Sequence, residues 1–132
     1  SKRSFMREGM RFPVVVDDNP KAKPWKKWVA KVVGRAYKGE ILECPLSVKF
    51  VFYRARPKGH FTSKGAIGSA GRAMPCPTSR PDVLKLSRAV EDALTGVVWR
   101  DDSQIVLETL EKRWGEPERV EVIVEAPSAL MA

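Results

Sequence analysis

"RPDVLKLSRAVEDALTGVVWRDDSQIV", residues 80–106, joins a helical pattern, a glycine stop and a polar doublet. At about 100° per residue, Val83, Leu86, Ala89, Val90, Ala93 and Leu94 share one broad face. Ser87, Arg88, Glu91 and Thr95 lie opposite. "TSRPD" supplies start signals and Gly96 a stop, so a helix is expected over 82–96. Leu84 falls within the polar face, where an apolar side chain is out of place. It reads either as a contact to a partner or as the filler of a position that another sequence would make polar. After "VVW", the doublet Asp101–Asp102 is either a turn or half of a site.

Outward from this stretch, the other elements follow from periodicity. "FPVVV" (12–16) reads as a strand, broken by the turn formers "DDNP". A helix follows, with Pro24 suited to its first turn. Trp25, Trp28, Val29, Val32, Val33 and Ala36 recur at helical spacing and form a burying face. Lys26, Lys27, Lys31, Arg35 and Lys38 fall mostly on the other face, either as a solvated surface or as a grip on phosphates. "PLSVKFVFYR" (45–54) is a strand with Leu46, Val48, Phe50 and Phe52 on one side and Ser47, Lys49, Val51 and Tyr53 on the other. Residues 105–113 suit helix or strand. "WGEPE" is a turn, and Val120, Val122 and Val124 mark a last strand. A β-hairpin over about 104–125 is therefore expected.

A chain of 132 residues, 43% hydrophobic and 30% charged, suits one domain with a real core. No apolar run approaches the length of a membrane span, and no secretory signal opens the chain. The basic opening "SKRSFMREGM" lacks an initiator Met, so the chain is expected to begin inside a longer product or to be trimmed. Cys44 and Cys76 stand outside any metal-type Cys pair and read as reduced thiols of a cytosolic protein. The net charge of +8 is uneven. Residues 1–80 hold 18 Lys and Arg against 5 Asp and Glu, and residues 81–132 hold 6 against 11. A basic front favours a polyanion partner, of which nucleic acid is the commonest.

Residues 54–81 hold four glycines, four prolines and six Lys or Arg, with no acidic residue and no sustained period. This reads as a long, flexible basic loop over 54–80, able to order on a nucleic-acid backbone. Arg54, Arg56, Lys58 and Lys64 supply charge. A ring at His60 or Phe61 is suited to stack on a base or wedge a junction, although His60 also reads as an ordinary loop histidine.

The acidic residues raise the sharper question. If 97–106 doubles back along the helix, Asp82 and the 101–102 pair converge. Two ionised carboxylates about 4 Å apart repel by roughly 4 kcal/mol at an effective dielectric near 20, so such a cluster takes a shared proton or a cation. Carboxylate oxygens suit Mg²⁺ or Mn²⁺. Held there, such an ion suits phosphodiester hydrolysis, with Arg88 positioned for a phosphate oxygen. Equally, Asp82 is explained as an N-cap, and Asp101–Ser103 as a turn.

The stretch 80–106 resembles the signature of RusA-type Holliday junction resolvases, many of them encoded by phages and prophages. Their pattern is an Asp-x-Asp-Asn-Leu-x-Lys-like helix start, an Asp-Ala-Leu segment and Asp-Asp-x-Gln. Pro81, Asp82, Leu86, Asp92, Ala93, Leu94, Asp101, Asp102 and Gln104 match it. "RPKGHF" (56–61), "SKRSF" (1–5) and "VVVDDNPKAKPWKKWV" (14–29) look like a phage branch of the family, so the resemblance covers nearly the whole chain as a single domain, 1–132.

The resemblance implies an α+β fold, a small mixed β-sheet carrying two main helices, in a two-fold homodimer. It implies Mg²⁺-dependent, paired nicking of four-way DNA junctions in recombination and repair, in the cytoplasm of a bacterial host. Asp82 and Asp102 take the places of essential metal-binding aspartates, with Asp101 as a helper, and Arg88 stands where a catalytic Lys is usual. Lys26, Lys27, Lys31, Arg54, Arg56, Lys58, His60, Phe61, Lys64 and Lys85 are the expected DNA contacts. Three features depart from the pattern. Leu84 replaces the second aspartate and Lys85 the following Asn, which removes one expected ligand. Arg88 keeps the charge of Lys without its compact ammonium. A Pro-rich strand that members usually carry ahead of "SKRSF" is expected to be missing. The alternative implied is a junction-binding protein with weak or lost cleavage.

Overall fold

A computed structural model describes residues 11–17 and 24–126. The segment "SKRSF" and positions 18–20 of the "DDNP" turn lie outside the described residues. The elements run β1 (Arg11–Asp17), α1 (Trp25–Ala36), β2 (Leu46–Arg54), α2 (Ser69–Arg72), α3 (Val83–Leu94), β3 (Ile105–Trp114) and β4 (Arg119–Glu125). Single 3₁₀ turns stand at Lys58–His60 and Asp102–Gln104. The result is an α+β fold, with a four-stranded mixed sheet in the order β1-β4-β2-β3 and two main helices.

The core forms where the period-2 and period-3.6 patterns meet. Leu46, Val48, Phe50 and Phe52 of β2 and Val120, Val122 and Val124 of β4 are buried, as the alternation predicts. Val29 and Val33 of α1, and Val90, Ala93 and Leu94 of α3, join them in one cluster. Ala36, assigned to the burying face of α1 by spacing, is exposed in its last turn. Trp99 is fully buried, and its Nε1 donates to Thr95 Oγ1 at 3.1 Å. Gly96 turns the chain after α3 with φ +86°, a conformation that Gly adopts without steric cost. Cys44 and Cys76 are both free thiols.

The expected hairpin over 104–125 does not form. Both segments are strands, but β2 lies between them: β3 pairs parallel to β2, and β4 antiparallel to it. The physical reason lies in β2, the most buried strand, with Leu46, Val48, Phe50 and Phe52 buried on one face and Val51 on the other: its backbone N–H and C=O groups are shielded from water and are satisfied by strands on both edges. The turn after β3 crosses the end of β2 instead of closing a hairpin. Gly115 N–H donates to Arg54 O at 2.9 Å, and Ala55 N–H to a Glu118 carboxylate oxygen at 3.0 Å.

β3 thereby becomes an edge strand. By register with β2, Glu108, Leu110 and Lys112 lie opposite Val48, Phe50 and Phe52, on the helix side. Only Leu110 among these packs on the core. Charges on both faces also suit an edge, because they discourage pairing with another chain.

Candidate functional site

α3 sets the geometry of the acidic residues. Asp82 is its N-cap by position, yet its side chain makes no capping hydrogen bond. The capping explanation for this carboxylate therefore fails. It lines an open recess with Arg80, Pro81 and Lys85. Lys112, from the far end of β3, donates its Nζ to Ser79 O at 2.7 Å and Pro81 O at 3.1 Å. That pair of bonds pins the segment leading into α3, and so places Asp82. Sequence reasoning missed Lys112, whose only signal was its place in the strand alternation. Leu84, Lys85 and Arg88 are exposed on α3, and Leu84 lies one turn before Arg88.

The 101–104 segment is a capping box. Ser103 N–H donates to Asp101 Oδ1 at 2.9 Å, and Asp101 N–H to Gln104 Oε1 at 2.8 Å. Gln104 also accepts from Arg100 N–H at 3.0 Å, and its Nε2 donates to Leu42 O and Cys44 O, each at 3.0 Å. Gln104 thus ties the doublet to the strand-like segment at 42–44. Asp101 and Asp102 consequently differ. Hydrogen bonds from Ser103 hold the Asp101 carboxyl below its ordinary value. Asp102 is raised, first by a hydrogen bond shared with Asp101, then by desolvation and the charges of Asp101, Glu91 and Asp92.

Those last two neighbours locate Asp102. Glu91 and Asp92 belong to the last turn of α3, whereas Asp82 stands before the first. A helix of this length spans about 18 Å. The chain does double back along α3, but it is Lys112 that reaches the end bearing Asp82. Asp82 and the 101–102 pair are therefore at opposite ends of one helix. Among the described residues, no group of three or more His, Cys, Asp or Glu side chains is placed to hold a metal ion.

Between these ends lies a further acidic feature. Ser87, assigned to the polar face by spacing, is 2% exposed and donates its hydroxyl to Glu91 Oε2 at 3.0 Å. Glu108 of β3 faces them. Desolvation, then its hydrogen bond and repulsion with Glu91, push its carboxyl up to about 7.

The expected DNA contacts divide by circumstance. Lys27, Lys31, Lys58, Lys64 and Lys85 are exposed. Lys26 is paired with Asp92 at 3.1 Å, which links α1 to α3, and Arg54 lies 3.6 Å from Glu118. Arg56 is built into the fold. Its Nη1 donates to Gly71 O at 2.9 Å and Met74 O at 3.3 Å, lies 3.1 Å from His60 Nδ1, and its guanidinium stacks 5.2 Å from the Trp114 ring centre. His60 meets Trp114 edge to face at 5.3 Å. Phe61 is 39% exposed. Residues 55–80 thus carry internal structure that their composition did not announce, anchored on an indole, Trp114, whose Nε1 donates to Met74 O at 2.8 Å.

Comparison with known proteins agrees with this picture. The family model for the endodeoxyribonuclease RusA matches residues 2–125. The chain is also similar to the uncharacterized protein YqaN of Bacillus subtilis strain 168, at 35% identity over 127 residues, covering 96% of this chain and 87% of YqaN. With Asp82, the Asp92-Ala93-Leu94 segment and the Asp101-Asp102-x-Gln104 box in place, and a family match spanning nearly the whole chain, the protein belongs to the RusA endodeoxyribonuclease family.

Proposed function

We propose that the protein is a divalent-metal-dependent endodeoxyribonuclease that resolves four-way DNA junctions by paired nicks, and that two copies of the chain build each site. The observation that carries this reading is the position of Asp82 and Asp102 at opposite ends of α3. The described residues of one chain do not gather three such donors. Two copies related by a two-fold axis, with their α3 helices antiparallel, would bring Asp82 of one beside Asp101 and Asp102 of the other, twice over. Exposed Leu84 on that helix face is consistent with such packing. A four-way junction takes two matched nicks, and a two-fold dimer offers two identical sites.

Carboxylate oxygens from both copies would hold Mg²⁺, or Mn²⁺ in its place. Such an ion, when bound, lowers the pKa of coordinated water and neutralises charge on a phosphodiester. The chain's own residues orient the substrate. Arg88 and Lys85, exposed on the α3 face, hold the oxygens of the scissile phosphate. Lys27, Lys31, Lys58 and Lys64 grip flanking backbone, which makes binding fall steeply with salt. Gln104 keeps the 101–102 doublet at its angle. The proposed setting is DNA recombination and repair in the cytoplasm of a bacterial host, with a phage or prophage origin.

Mixing two inactive variants tests the shared site. Asp82→Asn and Asp102→Asn should each abolish nicking of a synthetic junction in Mg²⁺. After subunit exchange, half the dimers are mixed and each regains one intact site, so about a quarter of the wild-type sites return. If the mixture stays inactive although mixed dimers are shown to form, each site belongs to a single chain.

One observation favours a second reading. Leu84, 65% exposed, occupies the place of the family pattern's second helix-start aspartate. This supports a junction-binding protein with weak or lost cleavage. Leu84→Asp should then raise nicking well above wild type, whereas an unchanged rate shows that the ligand at this place is dispensable.

A further inference from the structure

We propose that Phe61 and Ile67 form an apolar platform that stacks against unpaired or unstacked bases at the branch point of a DNA junction, and that it sets the preference for branched over duplex DNA. The inference rests on the reading of the protein as a junction-binding member of its family. The two side chains come from a small hairpin. Phe61 and Ile67 are antiparallel bridge partners, so their side chains stand on one side of the ribbon. Thr62 N–H donates to Ala66 O at 2.7 Å, and Gly65 turns the tip with φ +83°. Phe61 is 39% exposed and Ile67 43%.

This exposed pair stands on a rigid base. Gly68 N–H donates to His60 O at 2.8 Å. α2 packs so closely behind the hairpin that a Cβ at Gly71 would sit 2.6 Å from His60 O and 2.7 Å from Ile67 Cγ2. Arg56 bonds the Gly71 and Met74 carbonyls, and Trp114 backs both Arg56 and His60. The two neighbouring rings therefore differ in duty. His60 is engaged with Arg56 and Trp114 and acts as a brace, while Phe61 is left to solvent.

The surroundings specify the occupant. Residues 54–81 contain six Lys and Arg and no acidic residue. Exposed Lys58, Lys64 and Arg72 flank the hairpin in sequence. An apolar tip flanked in sequence by cations fits a polyanion that also offers flat apolar surface. Duplex DNA hides its base faces, and a four-way junction opened at its exchange point offers them.

The test uses the full chain in Ca²⁺, to hold back nicking, and four-way junctions carrying 2-aminopurine beside the branch point. Wild type should raise the fluorescence. Phe61→Ala and Ile67→Ala should lose that rise and weaken junction binding about tenfold, with affinity for a linear duplex within about twofold of wild type. Phe61→Trp should keep both signals, and matching thermal melts establish that the alanine variants are folded. Unchanged fluorescence and affinity in both alanine variants overturn the proposal. So does a change in sedimentation with equal losses on junction and duplex, because the pair would then contact a second copy. A fluorescence rise without cleavage in Mg²⁺ sinks only the nuclease reading. Cleavage without a rise sinks only this one.

Discussion

The two ends of α3 place carboxylates in opposite electrostatic settings. At the N-terminal end, Asp82 stands alone among Arg80, Lys85 and the Lys112 ammonium that pins the approach to the helix. Backbone N–H groups there add positive potential. At the C-terminal end, Glu91, Asp92, Asp101 and Asp102 gather where the helix dipole is already negative. Among the described residues the exposed Lys26–Asp92 pair offsets them, and pairs of that kind contribute about 0–1 kcal/mol. One end is thus suited to hold a phosphate, and the other carries an excess of carboxylates. A fold that maximised its stability alone would not separate charge in this way, and in the proposed function the separation serves DNA at one end and a metal ion at the other.

The largest effect is expected at the face proposed to hold phosphate. Arg88→Ala should slow junction nicking about a hundredfold, which corresponds to ~2.7 kcal/mol of transition-state stabilisation, with little change in thermal stability. A single-turnover rate within threefold of wild type would remove Arg88 from the phosphate. At the acidic end, Gln104→Ala removes the bonds that tie the doublet to residues 42–44. It should cost about 2 kcal/mol of stability, read by chemical denaturation, and slow nicking as well.

A smaller effect concerns Glu108. Its folded-state value of about 7 lies above its ordinary 4.5, so the protonated form is the one the fold favours. The associated stability is fully present below pH 4.5 and is lost as the pH rises through 7. Glu108→Gln keeps the neutral form, so the decline between pH 5 and 8 should flatten. Because the group is largely solvated, the gain at pH 8 should be below about 1 kcal/mol. Parallel pH–stability curves for variant and wild type would show that the carboxyl pair does not share a proton. The smallest effect is expected from Asp102→Asn without divalent cations. Relief of repulsion from Asp101, Glu91 and Asp92 should raise the melting temperature slightly. Mg²⁺ should then stabilise the variant less than it does the wild type, and equal stabilisation would place the ion elsewhere.

Much of the fold was legible locally. α1 and α3 announced themselves by apolar spacing and by Pro24 and Gly96, and the helices end within two residues of those expected. β2 and β4 showed clean alternation because one face of each lies on the core. β3 was ambiguous for a reason now visible. Its helix-side positions carry Glu108 and Lys112, which answer the polar edge of α3 instead of the apolar core, so no period stood out. In the candidate site, residue types and the family pattern marked Asp82, Arg88, Asp101, Asp102 and Gln104. They could not separate Asp101, occupied as a cap, from Asp102, nor His60, occupied as a brace, from Phe61.

By itself the sequence determined α1, α3, β2 and β4 with their main buried faces, the basic front and the membership that the Asp-Asp-x-Gln box signals. These depend on side chains a few residues apart, whose spacing is set by helix and strand geometry. Tertiary structure alone decided the strand order, the distance between Asp82 and Asp102, and the anchoring of residues 55–80 on Trp114. Each of these depends on which distant backbone groups and side chains meet. β2, the most buried strand, lies between β3 and β4, where the backbone groups of both its edges are paired, and that placement belongs to the packed sheet, not to the turn that joins β3 to β4.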